Sequence, residues 1–360
     1  MARIGIWFTQ GYSNIYNALN DISAADTWGQ FKLICSHPHP EFVGGVAADA
    51  HVVEPVDCDD EVFLAFVMAT VREHGIRVIF PSRKQSFFNR HAKALAQVGV
   101  AVATVATTPV LARIDNKCGL YDHLQGKGIT KLPEYRRVKS LAEFDAAYAD
   151  LKTRHPKLCI KPSRGVYGSG FRVLKGTAAT MADLLNESMT LPVSDLRARL
   201  RRGLPQELML MQYLPGDEHS VDCVAFEGEL VGAVIRRKST SSVAAQVIEH
   251  NPELLGQVRA LTKELRLRGM FNVQFKDVDG EPFLLEINTR LSGRSYYATL
   301  AGLNIPYVAS LLFSGLAKPA DLSIETTFGQ RVGNISTAVL LPPGTPRARR
   351  AGVGGEQESR

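Results

Sequence analysis

Glu286, Asn288 and Arg290 fall at every second residue of an apolar run that reads as a β-strand. An extended backbone projects such residues from one face, and Phe283, Leu285 and Ile287 are expected to fill the other. A carboxylate, a carboxamide and a guanidinium on one side of a partly buried strand need charged company, because unpaired charge there is costly. Oxygen ligands of the Glu and Asn type suit Mg²⁺ or Mn²⁺, and Mg²⁺ usually brings nucleotide phosphates with it. The arginine can then meet a phosphate or carboxylate with two parallel hydrogen bonds.

A second run, Phe-Asn-Val-Gln-Phe over residues 271–275, precedes this strand, and the sequence between them contains Asp279-Gly280. For Gln274 to share the face of Glu286, the connection must centre on Gly280. That requires a three-residue loop of Asp279, Gly280 and Glu281, or a bulge. A tight two-residue Asp-Gly turn would set Gln274 opposite Leu285 and spoil the constellation. The plain alternative is a half-buried hairpin whose polar residues face water, since such alternation is common in antiparallel sheets.

Asn-x-Gln-Phe followed by Leu-Glu-Ile-Asn-x-Arg resembles the metal-binding end of the ATP-grasp superfamily, in particular its carbamoyl-phosphate-synthetase-like, carboxylate–amine ligase branch. The resemblance implies an α/β (α+β) chain with three parts. These are a Rossmann-like subdomain over 1–108, a lid subdomain over about 130–210 and a C-terminal mixed-sheet subdomain over about 211–340. The ATP-grasp domain proper is expected over 109–340, and the Pro/Gly-rich stretch 341–360 reads as a disordered tail.

Composition is compatible with that plan. A chain of 360 residues, 45% hydrophobic, can bury one large core or two or three smaller ones. No apolar run approaches the roughly 18 residues that span a bilayer. Residues 1–4 enter a strand without a secretory signal, and five scattered cysteines lack metal-type spacing, so a reduced, cytoplasmic protein is expected. The net charge of +6 permits a nucleic-acid partner. The charge is otherwise explained, by Arg197, Arg199, Arg201 and Arg202 on an exposed helix and by Arg347, Arg349 and Arg350 in the tail. Without an aromatic-interleaved basic stripe, neither nucleic acid nor membrane is the expected partner.

Short apolar runs at 3–8, 31–35, 52–54, 77–80 and 100–103 alternate with helical patterns at 61–74 and 87–98, which implies a parallel sheet with crossover helices. The first loop, residues 10–14, has one glycine and is no dinucleotide fingerprint. Ser13 or Asn14 can cap the first helix and leave its amide end for an anion, or the helix is simply capped. Arg83 and Lys84 follow a strand and are further substrate candidates.

The resemblance assigns the nucleotide parts in order. Lys117, in Asp115-Asn116-Lys117 at the start of a helix, is expected to reach the phosphates. Lys161 closes a short strand ahead of a Gly-rich stretch containing Gly165, Gly168, Ser169 and Gly170, whose amides and charge suit phosphate oxygens. A following strand runs out of that stretch, so this is not a P-loop. The apolar segment ending Gln212-Tyr213-Leu214 is expected to offer backbone groups to adenine, and Glu218 to accept from the ribose. Met211 stands where the family often has an acidic residue. The strand ending Arg236-Arg237-Lys238 either brings a cation to the phosphates or is a solvated basic strand end.

By the same resemblance, Gln274, Glu286 and Asn288 hold Mg²⁺ or Mn²⁺, and Arg290 holds the substrate carboxylate or acyl-phosphate. Ser292 and Gly293, ahead of a helix starting near Arg294, are expected to assist as an anion site. The activity implied is an ATP-dependent ligase that activates a carboxylate (or bicarbonate) for attack by an amine. Its partners would be small-molecule carboxylate and amine substrates, and the protein could be a homodimer. The competing class is an ATP-binding protein that uses nucleotide only to set conformation.

Overall fold

The structure is a computed structural model, describing residues 2–10, 14–165, 169–177, 189–204, 206–238, 245–335, 338 and 340. The chain divides into two compact units, one built from residues 2–105 and 291–326, the other from Ala106–Arg290 with Thr327–Gly333.

In the first unit, β1 (Ile4–Thr9), β2 (Phe31–His37), β3 (Ala50–Val53), β4 (Ile76–Pro81) and β5 (Ala101–Val102) form a parallel sheet in the order β3-β2-β1-β4-β5. The crossovers are helical: α1 (Ile15–Ala25), α2 (Asp60–His74) and α3 (Gln85–Gln97). A parallel sheet covered on both faces demands near-continuous apolar strands, and Ile6, Trp7 and Phe8 are all essentially buried. Helix α2 is closed at both ends. The Asp59 carboxylate accepts from the Val62 amide at 2.8 Å, and Gly75 ends the helix at φ 63°. Two helices from late in the chain, Tyr296–Leu300 and Ile305–Ser314, return to this unit, where the Asn304 side chain donates to the Asp21 carbonyl at 2.7 Å.

The second unit opens with α4 (Thr108–Asp115) and α5 (Lys117–Leu124). Around α6 (Leu141–Lys152) and α7 (Val193–Leu200) lies a five-stranded sheet of β6 (Tyr135–Val138), β7 (Leu158–Pro162), β8 (Arg172–Lys175), β9 (Thr190–Pro192) and β10 (Leu208–Gln212), ordered β6-β10-β7-β8-β9. Phe144, Leu151, Ile160, Leu196 and Leu210 make its core. As expected, Arg199, Arg201 and Arg202 are exposed on and just after α7.

The larger sheet contains β11 (Glu218–Phe226), β12 (Glu229–Lys238), β13 (Gln246–Glu249), β14 (Gly269–Val278), β15 (Glu281–Asn288) and β16 (Arg331–Val332), with α8 (Pro252–Glu264) between β13 and β14. Its order is β15-β14-β11-β12-β13-β16, so β15 is an edge strand, where Pro282 costs no ladder bond.

The hairpin of β14 and β15 reaches the expected register through a bulge, one of the two expected routes, but keeps the tight turn. Its connection is the tight turn, with Val278 opposite Glu281 and Asp279 and Gly280 both at positive φ (52° and 81°). A bulge then inserts Leu285: Phe275 pairs with Leu284, but Gln274 pairs with Glu286. The bulge undoes the one-residue slip that the tight turn alone would impose. It also reverses the alternation, so Leu284 and Ile287, rather than Phe283, Leu285 and Ile287, back onto Phe275 and Val273.

Candidate nucleotide and metal site

Lys117 is fixed by the break between two helices. Asn116 ends α4 and caps α5, its side-chain oxygen accepting from the Gly119 amide at 3.0 Å. The Lys117 amide donates to the Ser163 carbonyl at 2.8 Å, and Nζ donates to the Gly165 carbonyl at 2.8 Å. The same ammonium lies 3.3 Å from Glu286 Oε2, so one lysine joins the segment after β7 to the polar edge strand.

Lys161 sits in β7 opposite Met209 and is 7% exposed. Burial pulls its pKa down to about 8, with the Glu286 charge opposing that shift and Lys117 adding to it. Among the described residues Lys161 makes no ion pair. A buried lysine with no ion-pair partner, beside a second lysine, is costly unless an anion arrives.

Across the large sheet, polar residues form two rows on one face. Glu286, Gln274, Ser220 and Arg236 make one, and Asn288, Asn272 and Asp222 the other. Asn288 Nδ2 donates to Glu286 Oε1 at 3.1 Å. The inner members of these rows form a buried network that the sequence patterns did not single out. Arg236, 1% exposed, donates to Asp222 at 2.7 Å, to Ser220 at 3.0 Å and to Gln246. The Asn272 amide donates to Asp222 at 2.9 Å and to Ser220 at 3.0 Å. Asn272 Oδ1 is buried with no hydrogen-bond partner among the described residues. Asn272 and Gln274 share a period of two, as do Ser220 and Asp222, and that spacing was the available signal. Neither expectation for the strand end holds for Arg236, which is locked into the sheet. Arg237 pairs with Asp217 at 3.0 Å, and Lys238 pairs with Glu218.

One carboxylate and two carboxamides within a step of each other form a hard-cation donor set, and the orphaned Asn272 oxygen adds acceptor capacity beside them. Gln274, Glu286 and Asn288 therefore fit Mg²⁺ or Mn²⁺. Among the described residues no cluster of three His, Cys, Asp or Glu side chains offers a rival metal site.

At the end of β10, Gln212 is held twice to Glu134: its amide donates to the Glu134 carbonyl at 3.0 Å, and its side-chain oxygen accepts from the Glu134 amide at 2.9 Å. The Tyr213 amide donates to the Lys157 carbonyl at 3.1 Å. Among the described residues Leu214 N–H has no partner, which leaves it as the donor on this edge. Glu218 opens β11. Of the Gly-rich stretch, Gly168 lies outside the described residues, while Gly165, Ser169 and Gly170 are exposed. Gly170 has φ 76°, and a Cβ there would come within 2.8 Å of the Pro162 ring, so the chain needs glycine at that point.

The remaining candidates are placed as follows. Arg290 is half-buried, two residues past the end of β15 rather than within the strand. Ser13 lies outside the described residues. Asn14 occupies the N-cap position of α1 without capping it; its side chain donates instead to the Ser292 carbonyl at 2.8 Å. Arg83 is exposed after β4. Ser292, Gly293 and Arg294 precede a helix that starts at Tyr296, later than expected, and the Arg294 amide approaches Ser292 Oγ at 3.4 Å.

Comparison with known proteins agrees with this fold. Residues 205–338 match a family model described as ATP-grasp in the biosynthetic pathway with Ter operon. Carnosine synthase 1 of Gallus gallus is 33% identical over 129 residues, 32% of this chain and 14% of the relative. The carbamoyl phosphate synthase large chain of Pyrococcus furiosus is 26% identical over 215 residues, 57% of this chain and 19% of the relative. The chain thus spans less than a fifth of either relative. The solved ADP complex of N5-carboxyaminoimidazole ribonucleotide synthetase superposes with a TM-score of 0.64 at 16% identity, covering 92% of this chain and 82% of that one. The chain has the ATP-grasp fold, and its residues 205–338 match an ATP-grasp family model.

Proposed function

We propose that this chain is an ATP-dependent ligase that activates a carboxylate (or bicarbonate) as an acyl-phosphate for attack by an amine. The observation that carries the reading is the convergence of Lys117 and Glu286 at 3.3 Å, with Gln274 opposite Glu286 and the unpaired, buried Lys161 nearby. Binding a nucleotide without turnover needs fewer groups of this kind.

In this reading, Leu214 N–H and the carbonyl edge at Gln212 meet adenine, and Glu218 exchanges Lys238 for the ribose hydroxyls. Lys117 and Lys161 face the phosphates, with the amides of Gly165, Ser169 and Gly170 as further donors. A bound Mg²⁺ or Mn²⁺, held by Gln274, Glu286 and Asn288, supplies charge neutralisation at the transferring phosphoryl group. A carboxylate oxygen of the substrate bonds to the γ-phosphorus as ADP leaves. The amine nitrogen then bonds to the acyl carbon, inorganic phosphate departs and the nitrogen loses a proton. Arg290 steadies the carboxylate and the developing acyl-phosphate.

The partners required are small-molecule carboxylate and amine substrates, with amino acids, which carry both groups, as the first panel. A homodimer and a cytoplasmic location belong to the same proposal through the family resemblance; among the described residues no helix is long and apolar enough to cross a membrane. The test is phosphate release from MgATP with amino acids singly and in pairs, followed by mass spectrometry for a product equal to the two substrates less water. Release stimulated by a carboxylate together with an amine is expected. Tight ATP binding with no stimulated release across a wide panel would replace the ligase with a nucleotide-gated binding protein.

A further inference from the structure

We propose that Tyr121 is a positioning residue for the metal strand: its hydroxyl holds the bulge at Leu285 and so sets Gln274 against Glu286. The proposal rests on the nucleotide and metal reading above and extends it to a residue outside the ligand set.

Tyr121 is fully buried on α5, four residues after Lys117. Residues four apart lie on one helical face, and here both reach β15. Lys117 Nζ meets the Glu286 carboxylate at 3.3 Å. The single Tyr121 hydroxyl proton is shared between the Leu284 carbonyl at 2.6 Å and the Leu285 carbonyl at 3.0 Å, which belong to the peptides entering and leaving the bulged Leu285. β15 is an edge strand, bridged on its outer side by Lys131, whose carbonyl accepts from the Leu284 amide at 2.9 Å. Among the described residues no further strand pairs with the Leu284 and Leu285 carbonyls there, and an inserted residue forfeits its ladder partner. Buried carbonyls without donors are costly, so a fixed hydroxyl at this point favours the bulged register over the slipped one. The slipped register would place Leu285 opposite Gln274 and turn Glu286 away.

A ring contact holds the tyrosine in place. The Tyr121 ring packs edge-on against Tyr135 at 5.3 Å between centroids. Burial and the nearby Glu286 charge raise its pKa well above the ordinary value, so the donor stays protonated over the working range. A purely space-filling tyrosine would pack equally well as phenylalanine, and that difference provides the test.

Affinity for a non-hydrolysable ATP analogue is measured by calorimetry in EDTA and in saturating Mg²⁺, for the wild type, Tyr121→Phe and Asn288→Ala. Tyr121→Phe is expected to keep the EDTA affinity within about twofold but to lose about tenfold to a hundredfold of the enhancement by Mg²⁺, the usual cost of removing a group that orients metal ligands. Full enhancement in Tyr121→Phe, with enhancement lost in Asn288→Ala, overturns the role of Tyr121 and leaves the metal site standing. Equal weakening with and without Mg²⁺ also overturns it, in favour of a general packing role. No enhancement in the wild type, or undiminished enhancement in Asn288→Ala, sinks the metal reading and this proposal together. Where Tyr121→Phe folds poorly, Leu285→Gly substitutes: it keeps the hydroxyl but loosens the inserted residue. The same selective loss of Mg²⁺ enhancement is expected, and unchanged enhancement overturns the proposal.

Discussion

Gln274 stands opposite Glu286 because Leu285, the residue before Glu286, is pushed out of the ladder between their strands. A tight Asp279-Gly280 turn and a polar metal face are incompatible in a regular hairpin, since side-chain facing alternates at every residue. One inserted residue reconciles them. The site therefore depends on a backbone irregularity as much as on side-chain identity.

Glu286 is both a metal candidate and the counter-charge of Lys117. Glu286→Ala should reduce turnover by about a hundredfold or more, in line with loss of a group acting on transition-state charge. Nucleotide affinity in EDTA should not fall, because Lys117 loses a competitor for phosphate. Steady-state kinetics and calorimetry on the same preparation check both. Substantial retained turnover would remove Glu286 from the chemistry.

Lys161 gives a pH signature. Its pKa of about 8 in the folded, ligand-free chain lies below the ordinary 10.5. Phosphate binding favours the ammonium form, so ATP affinity should be flat well below pH 8 and decline as pH rises through it. Stability runs the other way. Between about 8 and 10.5 the unfolded chain binds more protons at this residue than the folded one, so the ligand-free protein gains stability with rising pH across that window. Lys161→Met should weaken ATP binding and flatten both profiles, as read by calorimetry and by denaturant midpoints. A wild-type affinity profile that stays flat to pH 9.5 would take Lys161 off the phosphates.

Much of this was legible in the sequence, and the exceptions have physical causes. The period of two in Glu286 and Asn288, the strand-end Lys161 and the alternation in the first unit are local patterns, and local patterns survive folding. A bulge was one expected route to the register, but its position at Leu285 was not readable, because an apolar residue there fits the regular strand equally well. Nor was the fate of Arg236. A run of Arg236, Arg237 and Lys238 suggests solvent, yet Arg236 is buried because Asp222, on the neighbouring strand, meets it across the sheet. Asn14 occupies a capping position, but its side chain is drawn to a carbonyl 278 residues away, a tertiary contact no window detects. The last two misses are pairings between polar groups on different elements.

The Arg236–Asp222 pair yields a prediction about stability. Both side chains are 1% exposed, and removing one partner leaves a buried charge uncompensated. Asp222→Ala should cost about 3–5 kcal/mol, far above an ordinary surface substitution. It should also loosen Asn272, which donates to the same carboxylate. Denaturant unfolding is the measurement, and a cost under about 1 kcal/mol would mean that the remaining partners of Arg236 suffice without Asp222.

Arg290 separates geometry from charge. It lies two residues beyond the end of β15, half-buried, where a guanidinium can present its planar fork to a carboxylate or acyl-phosphate. Arg290→Lys keeps the charge but loses the second parallel hydrogen bond. If Arg290 acts on the reacting carboxylate, ATP affinity should stay near the wild-type value while turnover falls by about a hundredfold to a thousandfold, the usual cost of deleting one transition-state donor, roughly 3–4 kcal/mol. If it serves only at the strand end, lysine should be nearly silent. Calorimetry with the ATP analogue, beside turnover with the substrates found in the amino-acid panel, decides between them. A loss of turnover below about threefold places Arg290 outside the active site, because a bidentate contact to the reacting group cannot be exchanged for a point charge at so small a cost.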